Sequence, residues 1–216
     1  MLEFHKVRQE IETLGSDSLG FFGGSFEGGI NLQQIPDELA DIICFLSTVQ
    51  FSIDRYLEIG AATGGLTYVI NHYFKPNTIV LIDDNKHNRH HLRSKILEDI
   101  NRIEIIGNSH SHYISDCLRE YTRTDSMSNI PYLFDFVVID GDHSYEGVKQ
   151  DLELIKYHLS KYHLIMLHDI HVNSDVSEVP KLRQEILESN HWLEEVFATF
   201  SKVMKPCGIG LYRIKR

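Results

Sequence analysis

Cysteine is scarce in this chain: three in 216 residues, Cys44, Cys117 and Cys207, far apart and without any Cys-x-x-Cys pair. An odd, scattered set excludes a disulfide framework and fits buried thiols in a reducing compartment. Long apolar runs are also missing. No stretch approaches the ~18 apolar residues of a membrane span, and Met1-Leu2-Glu3-Phe4-His5-Lys6 lacks the apolar core of a signal peptide. A cytoplasmic protein with no membrane partner is expected. Positive charge is short as well: 21 Lys and Arg against 31 Asp and Glu leave a net charge of -10. Such a molecule as a whole repels a phosphate backbone, so nucleic acid is not the expected partner. The one candidate basic cluster, Lys202, Lys205, Arg213, Lys215 and Arg216, reads more simply as a solvated terminal strand.

What is present is the composition of a folded domain, 42% hydrophobic and 24% charged residues. The length suits one core. Leu2, Val7, Ile11 and Leu14 recur at helical spacing and are stopped by Gly15. Residues 15 to 30 then hold six glycines around Phe21, Phe22 and Phe26, and read equally as a lid or as an irregular connection. Residues 1–35 are therefore set apart as an N-terminal helix and Gly-rich lid, and 36–216 as the main body of a single structural domain.

From Pro36 to Leu46 a helix is expected, with proline and acids in its first turn. Beyond it, strand-length apolar runs fall at Tyr56 to Ile59, Thr78 to Ile82, Ile103 to Ile106, Phe134 to Ile139 and His163 to Leu167. Between them, helical spacing marks Leu66 to Phe74, Lys86 to Ile100, His110 to Tyr121 and Ser144 to Leu159. This alternation predicts an α/β fold: a Rossmann-like, doubly wound, mostly parallel sheet with helices on both faces. A helix at about Ser177 to Ser189 precedes two β-rich runs, Trp192 to Phe200 and Gly208 to Ile214, expected as a C-terminal antiparallel pair.

Ligands of such sheets bind beyond the carboxyl ends of the strands. The first strand ends in Leu57-Glu58-Ile59-Gly60, followed by Ala61-Ala62-Thr63-Gly64-Gly65 and a helix start. A dinucleotide fingerprint requires glycine where Ala62 stands, so an NAD site is excluded. The second strand ends in Asp83-Asp84, and the third in Gly107-Asn108-Ser109. Three such motifs at successive strand ends resemble the class I S-adenosylmethionine (SAM)-dependent methyltransferases. The resemblance implies that Glu58, Gly60, Ala61, Thr63, Gly64 and Gly65 hold the methionine part of SAM, Asp83 the ribose hydroxyls, and Asn108 and Ser109 the adenine side.

The fourth strand runs into Asp140-Gly141-Asp142-His143-Ser144-Tyr145 and the fifth into His168-Asp169-Ile170-His171. Neighbouring parallel strands lie ~4.8 Å apart, which brings Asp140 and Asp169 together, and two such carboxylates repel unless a cation or proton lies between them. From about Gln34-Ile35-Pro36 to Asp169 the chain resembles the metal-dependent O-methyltransferases of macrolide sugars and the related macrocin-type, cephalosporin-biosynthesis branch. That resemblance implies Asp140 and His143 as catalytic residues, His143 as general base, and Asp140, His168 and Asp169 at a divalent metal, Mg or Mn. An imidazole at position 168 suits Mn, Fe, Ni or Zn better than Mg.

The activity implied is metal-assisted O-methylation of a hydroxylated small molecule, a sugar or natural product. Two readings stand beside it: a SAM-binding scaffold without catalysis, and a metal hydrolase using His168, Asp169 and His171. Residues 15 to 35 and the segment from His171 to Val179 are the expected determinants of acceptor choice. A homo-oligomer is open to such a domain. His87, His90 and His91 would share one face of a helix, more simply solvated than metal-binding.

Overall fold

The computed structural model describes residues 2–123, 132–171, 177–201 and 206–215. Helix α1 (Phe4–Leu14) opens the chain, followed by the single turn α2 (Leu19–Phe22) and by α3 (Pro36–Thr48), which carries Pro36 at its start. Then strands and helices alternate: β1 (Arg55–Ile59), α4 (Gly65–Phe74), β2 (Thr78–Asp83), α5 (Arg93–Ile96), β3 (Ile103–Ile106), α6 (His112–Thr122), β4 (Phe134–Ile139), α7 (Tyr145–Ile155) and β5 (Leu159–His168). Helix α8 (Val179–Glu188), β6 (Leu193–Thr199) and β7 (Ile209–Ile214) complete the fold. The seven strands form one sheet in the order β3-β2-β1-β4-β5-β7-β6, parallel up to β5, with β7 antiparallel to both β5 and β6. The expected doubly wound sheet with its C-terminal antiparallel pair is what forms.

Strand alternation divides the core in two. Tyr56, Leu81, Phe136, Val138 and Met166 pack on one face against Leu39, Ile42 and Ile43 of α3 and Val69 and Ile70 of α4. Leu57, Val80, Val137, Ile139 and Leu167 pack on the other against Leu118 of α6, Leu152 of α7 and Leu182 of α8. Ser111 and Ser144 start α6 and α7 by accepting hydrogen bonds from the backbone N-H groups of Ile114 and Gly147, the usual work of a serine cap.

Two expectations change. The helix expected over Lys86 to Ile100 shrinks to a 3-10 turn at His90–Leu92 and the four residues of α5. Polar contacts take the rest: Asp83 accepts from the Asn85 N-H, Asp84 from that of Lys86, and Arg89 reaches Asp17 and Asn31. His87, His90 and His91 therefore do not share a helix face. Strand β5 begins at Leu159, before the apolar run, because Leu159 pairs with Phe134 across an irregularity in the β4 register. Among the described residues, no helix is long and apolar enough to cross a membrane. Of the basic cluster, Lys202, Lys205 and Arg216 lie outside the described residues, as do residues 172–176, while Arg213 pairs with Glu194 at 2.6 Å.

Candidate active site

Register brings the strand ends level: Ile59 lies beside Ile82 and Ile139, and Ile139 beside Leu167. Gly60, Asp140 and His168 therefore follow one another along a single edge of the sheet. Gly60 adopts φ +87°, and a Cβ there would stand 2.2 Å from the carbonyl oxygen of Asp140. Only glycine lets the two strand-end turns pass so closely. A cavity of about 650 Å³ opens over this edge, within the ~300–1,000 Å³ range of small-molecule sites.

One end of the cavity is lined by Gly60, Ala62, Asp83, Gly107, Asn108 and Ser109. Asp83 accepts at 2.8 Å from the Ala62 N-H and at 2.7 Å from the Asn85 N-H, and it lies 2.8 Å from a guanidinium nitrogen of Arg93. Arg93 also donates to the Ala62 carbonyl at 2.8 Å, so the buried guanidinium fastens the glycine turn to the acid. A carboxylate has about four acceptor positions, so two hydrogen bonds leave Asp83, on the cavity wall, with acceptor capacity to spare. Asn108 uses its side-chain oxygen to accept from the His110 N-H at 2.9 Å. Behind His110 lies the buried Asp151 of α7, 3.2 Å from its Nε2 and pushed up to about 6 by burial.

Several residues assigned to the cofactor by resemblance lie behind the turn instead of on the cavity wall. Thr63 donates to the Asn31 carbonyl at 3.0 Å, and Gly65 leaves room for the Ile30 carbonyl, 2.8 Å from where its Cβ would be. Both thus hold the N-terminal segment. Ala61 is buried, and Gly64 turns the chain into α4 at φ +83°. Glu58 points to the α4 side, where its carboxyl accepts from the Tyr56 hydroxyl at 2.7 Å and from the Thr67 hydroxyl. Burial pushes it up to about 7. Residues 15–35 wrap this turn, with Ser16 bridging to Glu27 and Leu32, and only Phe21, Phe22 and Gln33 of the segment reach the cavity.

At the other end stand Asp140, His143, His168, Asp169 and Cys207. His143 lies between the two carboxylates, with Nε2 3.2 Å from Asp140 and Nδ1 3.0 Å from Asp169. His168 places Nδ1 3.0 Å from the same Asp140 oxygen. Hydrogen bonds to Asp140 and Asp169 push His143 up to about 10. Burial opposes charge on His168, Asp140 and Asp169, yet their mutual attraction prevails: His168 rises well above the usual histidine range and both acids fall below that of a carboxylate. Two imidazoles, His143 and His168, thus stand against the acids where a cation or proton was expected. Asp169 has φ +58°, a left-handed conformation uncommon outside glycine and concentrated at functional sites.

The expected metal triad Asp140, His168 and Asp169 divides into two overlapping groups. Asp140, His143 and Asp169 bring ligand atoms within 4.8 Å of one another, and so do His168, Asp169 and Cys207. His171, the third residue of the hydrolase reading, is in neither. Gln34 and Cys207 carry no sequence signal for this site: Gln34 donates to Asp140 at 2.8 Å, and Cys207 arrives only through the pairing of β7 with β5.

The fold is similar to that of an O-methyltransferase from Bacillus cereus in complex with SAH, at 15% identity and TM-score 0.59, covering 81% of this chain and 79% of that one. It is similar also to the O-methyltransferase TomG from Streptomyces achromogenes, involved in tomaymycin synthesis and in complex with SAM, at 11% identity and TM-score 0.63, covering 100% of both chains. A third neighbour, the N-methyltransferase NodS from Bradyrhizobium japonicum WM9, has 13% identity and TM-score 0.58, covering 82% of this chain and 94% of that one. At these identities the likeness is one of fold, and it spans enzymes of different acceptor atoms. No curated protein matches the sequence. The family model for a methyltransferase domain matches residues 57–170, just over half of the chain and the span from the glycine turn to the Asp140 and Asp169 ends, so the chain belongs to that family.

Proposed function

We propose that the protein is a SAM-dependent methyltransferase that methylates a hydroxyl of a small molecule, a sugar or another hydroxylated natural product. The observation that carries this is the single cavity joining two kinds of strand end. Gly60, Asp83, Asn108 and Ser109 lie at one end, and Asp140, His143 and Asp169 at the other. The cofactor end fits SAM: Gly60 clears the approach, Asp83 keeps an acceptor position for ribose hydroxyls, and Asn108 and Ser109 face the adenine side. SAM supplies the electrophilic methyl group. The O-methyl reading draws on the likeness of the Asp140 to Tyr145 segment to the macrolide-sugar enzymes.

The residues at the reaction end must align the acceptor oxygen and remove its proton as attack develops. Its two carboxylates push His143 up to about 10 and so hold it protonated; it serves as a base only after one of them is drawn off and the ring has released that proton. A divalent metal, Mg or Mn in the enzymes resembled, fits Asp140 and Asp169 on that condition, and would supply Lewis acidity to the acceptor oxygen. Acceptors with adjacent hydroxyls are the first to try.

Calorimetric titration with SAM and SAH, followed by methyl transfer to a panel of sugars and catechols, tests the reading. His143→Ala and Asp140→Ala are expected to abolish turnover with SAM affinity nearly intact, and a chelator to suppress it. Failure of the wild-type protein to bind SAM overturns the proposal. Tight SAM binding without transfer to any acceptor replaces it with a SAM-binding scaffold.

A further inference from the structure

Cys207 was expected only as a buried thiol, yet it faces the reaction end of the cavity. The backbone places it there. His168 pairs with Ile209 across the β5 and β7 ladder, and the His171 N-H continues the pairing by donating to the Cys207 carbonyl at 2.9 Å. Glu38, buried on α3, fixes the approach from both sides, accepting from the Ser201 N-H at 3.0 Å and the Gly208 N-H at 2.9 Å. The ligand atoms of His168, Asp169 and Cys207 then lie within 4.8 Å of one another, close enough for side-chain rotation to bring them onto one ion.

His168 supplies the independent observation. Its side chain is 5% exposed, its Nδ1 is 3.0 Å from Asp140, and its buried Nε2 has no hydrogen-bond partner. With Nδ1-H held by the Asp140 carboxylate, release of the second ring proton to an incoming metal would bare the lone pair on Nε2, the arrangement that orients metal-binding histidines. A buried ring nitrogen without a partner is otherwise costly.

We propose that His168 Nε2, the Cys207 thiolate and the Asp169 carboxylate form a site for a thiophilic divalent transition ion of the zinc and cobalt class, with Asp140 positioning His168. Magnesium prefers oxygen donors, whereas imidazole and thiolate together select softer ions. Three protein donors facing a cavity leave a fourth position for an oxygen ligand, the pattern of a catalytic zinc site. Binding forms the sulfur-metal and nitrogen-metal bonds as the Cys207 thiol and the His168 imidazolium each release a proton to solvent. The catalytic use of this ion rests on the methyl-transfer reading, in which it would stand in place of an Mg or Mn ion on Asp140 and Asp169, the two donor sets sharing Asp169.

Cobalt(II) titration of the metal-stripped protein tests the site. One equivalent is expected to produce a thiolate-to-cobalt charge-transfer absorption, displaced by zinc but not by equal magnesium. Cys207→Ser and Cys207→Ala should abolish that band, while Asp140→Asn keeps it with affinity lowered ~10–100-fold. Zinc should also slow alkylation of Cys207 in the wild-type protein, a readout that needs no variant to fold. A cobalt spectrum lacking the thiolate band, a band that survives in folded Cys207→Ser, or alkylation unaffected by zinc overturns the site. SAM titration of the same samples decides the methyl-transfer reading separately.

Discussion

The side-chain amide of Gln34 donates to Asp140 at 2.8 Å, joining residues 106 positions apart in the chain. Gln34 is itself buried, 3% exposed, and ties the N-terminal segment to the reaction end. The bond fixes the Asp140 carboxylate through one oxygen while His143 and His168 meet the other.

Gln34→Ala therefore acts on two quantities at once. It leaves a buried carboxylate oxygen without its donor, at a cost of roughly 1–3 kcal/mol in stability. It also frees Asp140 to rotate, so turnover should fall, while SAM affinity, set at the far end of the cavity, stays within about twofold. Chemical denaturation and SAM calorimetry on the same variant measure both. A variant with wild-type turnover would deny Gln34 its positioning role.

Arg93 is buried, 3% exposed, and contacts Asp83, the Ala62 carbonyl and Glu104. Removing one partner of a buried ion pair costs about 3–5 kcal/mol, because the other charge is left without compensation. Arg93→Ala should lower stability by that order and loosen the glycine turn, so SAM binding weakens even under conditions where the variant is folded. Arg93→Lys keeps the charge without the planar fork and should recover only part of the loss. Urea unfolding measures the first effect and calorimetry the second; a destabilised variant that binds SAM as tightly as wild type would separate Arg93 from the turn.

The sheet was legible in the sequence because short apolar runs and helical spacings alternate. The residues one or two steps past each run, Gly60, Asp83, Asn108, Asp140 and Asp169, then necessarily meet at one edge. Glu58 shows what motif matching missed and strand periodicity would have shown. With Tyr56 packed on the α4 side, the residue two positions on must point the same way, toward Thr67 and behind the cavity wall. Gln34, Arg93 and Cys207 left no such trace. Each acts through a partner distant in sequence, and neither spacing nor composition records a contact made only by folding. The lost helix at Lys86 to Arg89 is similar, since its backbone is taken by side chains whose positions are set by the sheet and by Asp17.

Glu58 makes stability pH-dependent in a definite direction. Burial raises its carboxyl from 4.5 to about 7, against the hydrogen bonds from Thr67 and Tyr56 that favour the charged form. Below 4.5 the group is neutral in both the folded and unfolded chain. Between 4.5 and about 7 the unfolded chain releases the proton and the folded one retains it, so stability declines as pH rises through that window and levels off above it. Glu58→Gln stays neutral throughout and should remove this slope, matching the wild type near the lower limit and exceeding it above the upper. Unfolding curves taken across that range test it; parallel profiles for the two proteins would show that Glu58 does not titrate between the two limits.

Gly60→Ala tests the geometry of the shared edge with the smallest available change. A methyl group there would lie 2.2 Å from the Asp140 carbonyl oxygen and 2.7 Å from the Gly141 Cα, and the position holds φ +87°. Both the contact and the dihedral oppose any side chain, and neither neighbour is a flexible tip that can swing away. The turn between Ile59 and Ala62 must then move away from Asp140, carrying the Ala62 N-H off Asp83. The expected result is a folded but destabilised protein that has lost SAM binding and methyl transfer together. Gly141→Ala serves as the control, because its Cβ would meet nothing closer than 3.3 Å, the Ile59 Cγ2. A Gly60→Ala protein that binds SAM like the Gly141→Ala control would show that the close crossing of the two turns is a packing detail with no part in holding the cofactor.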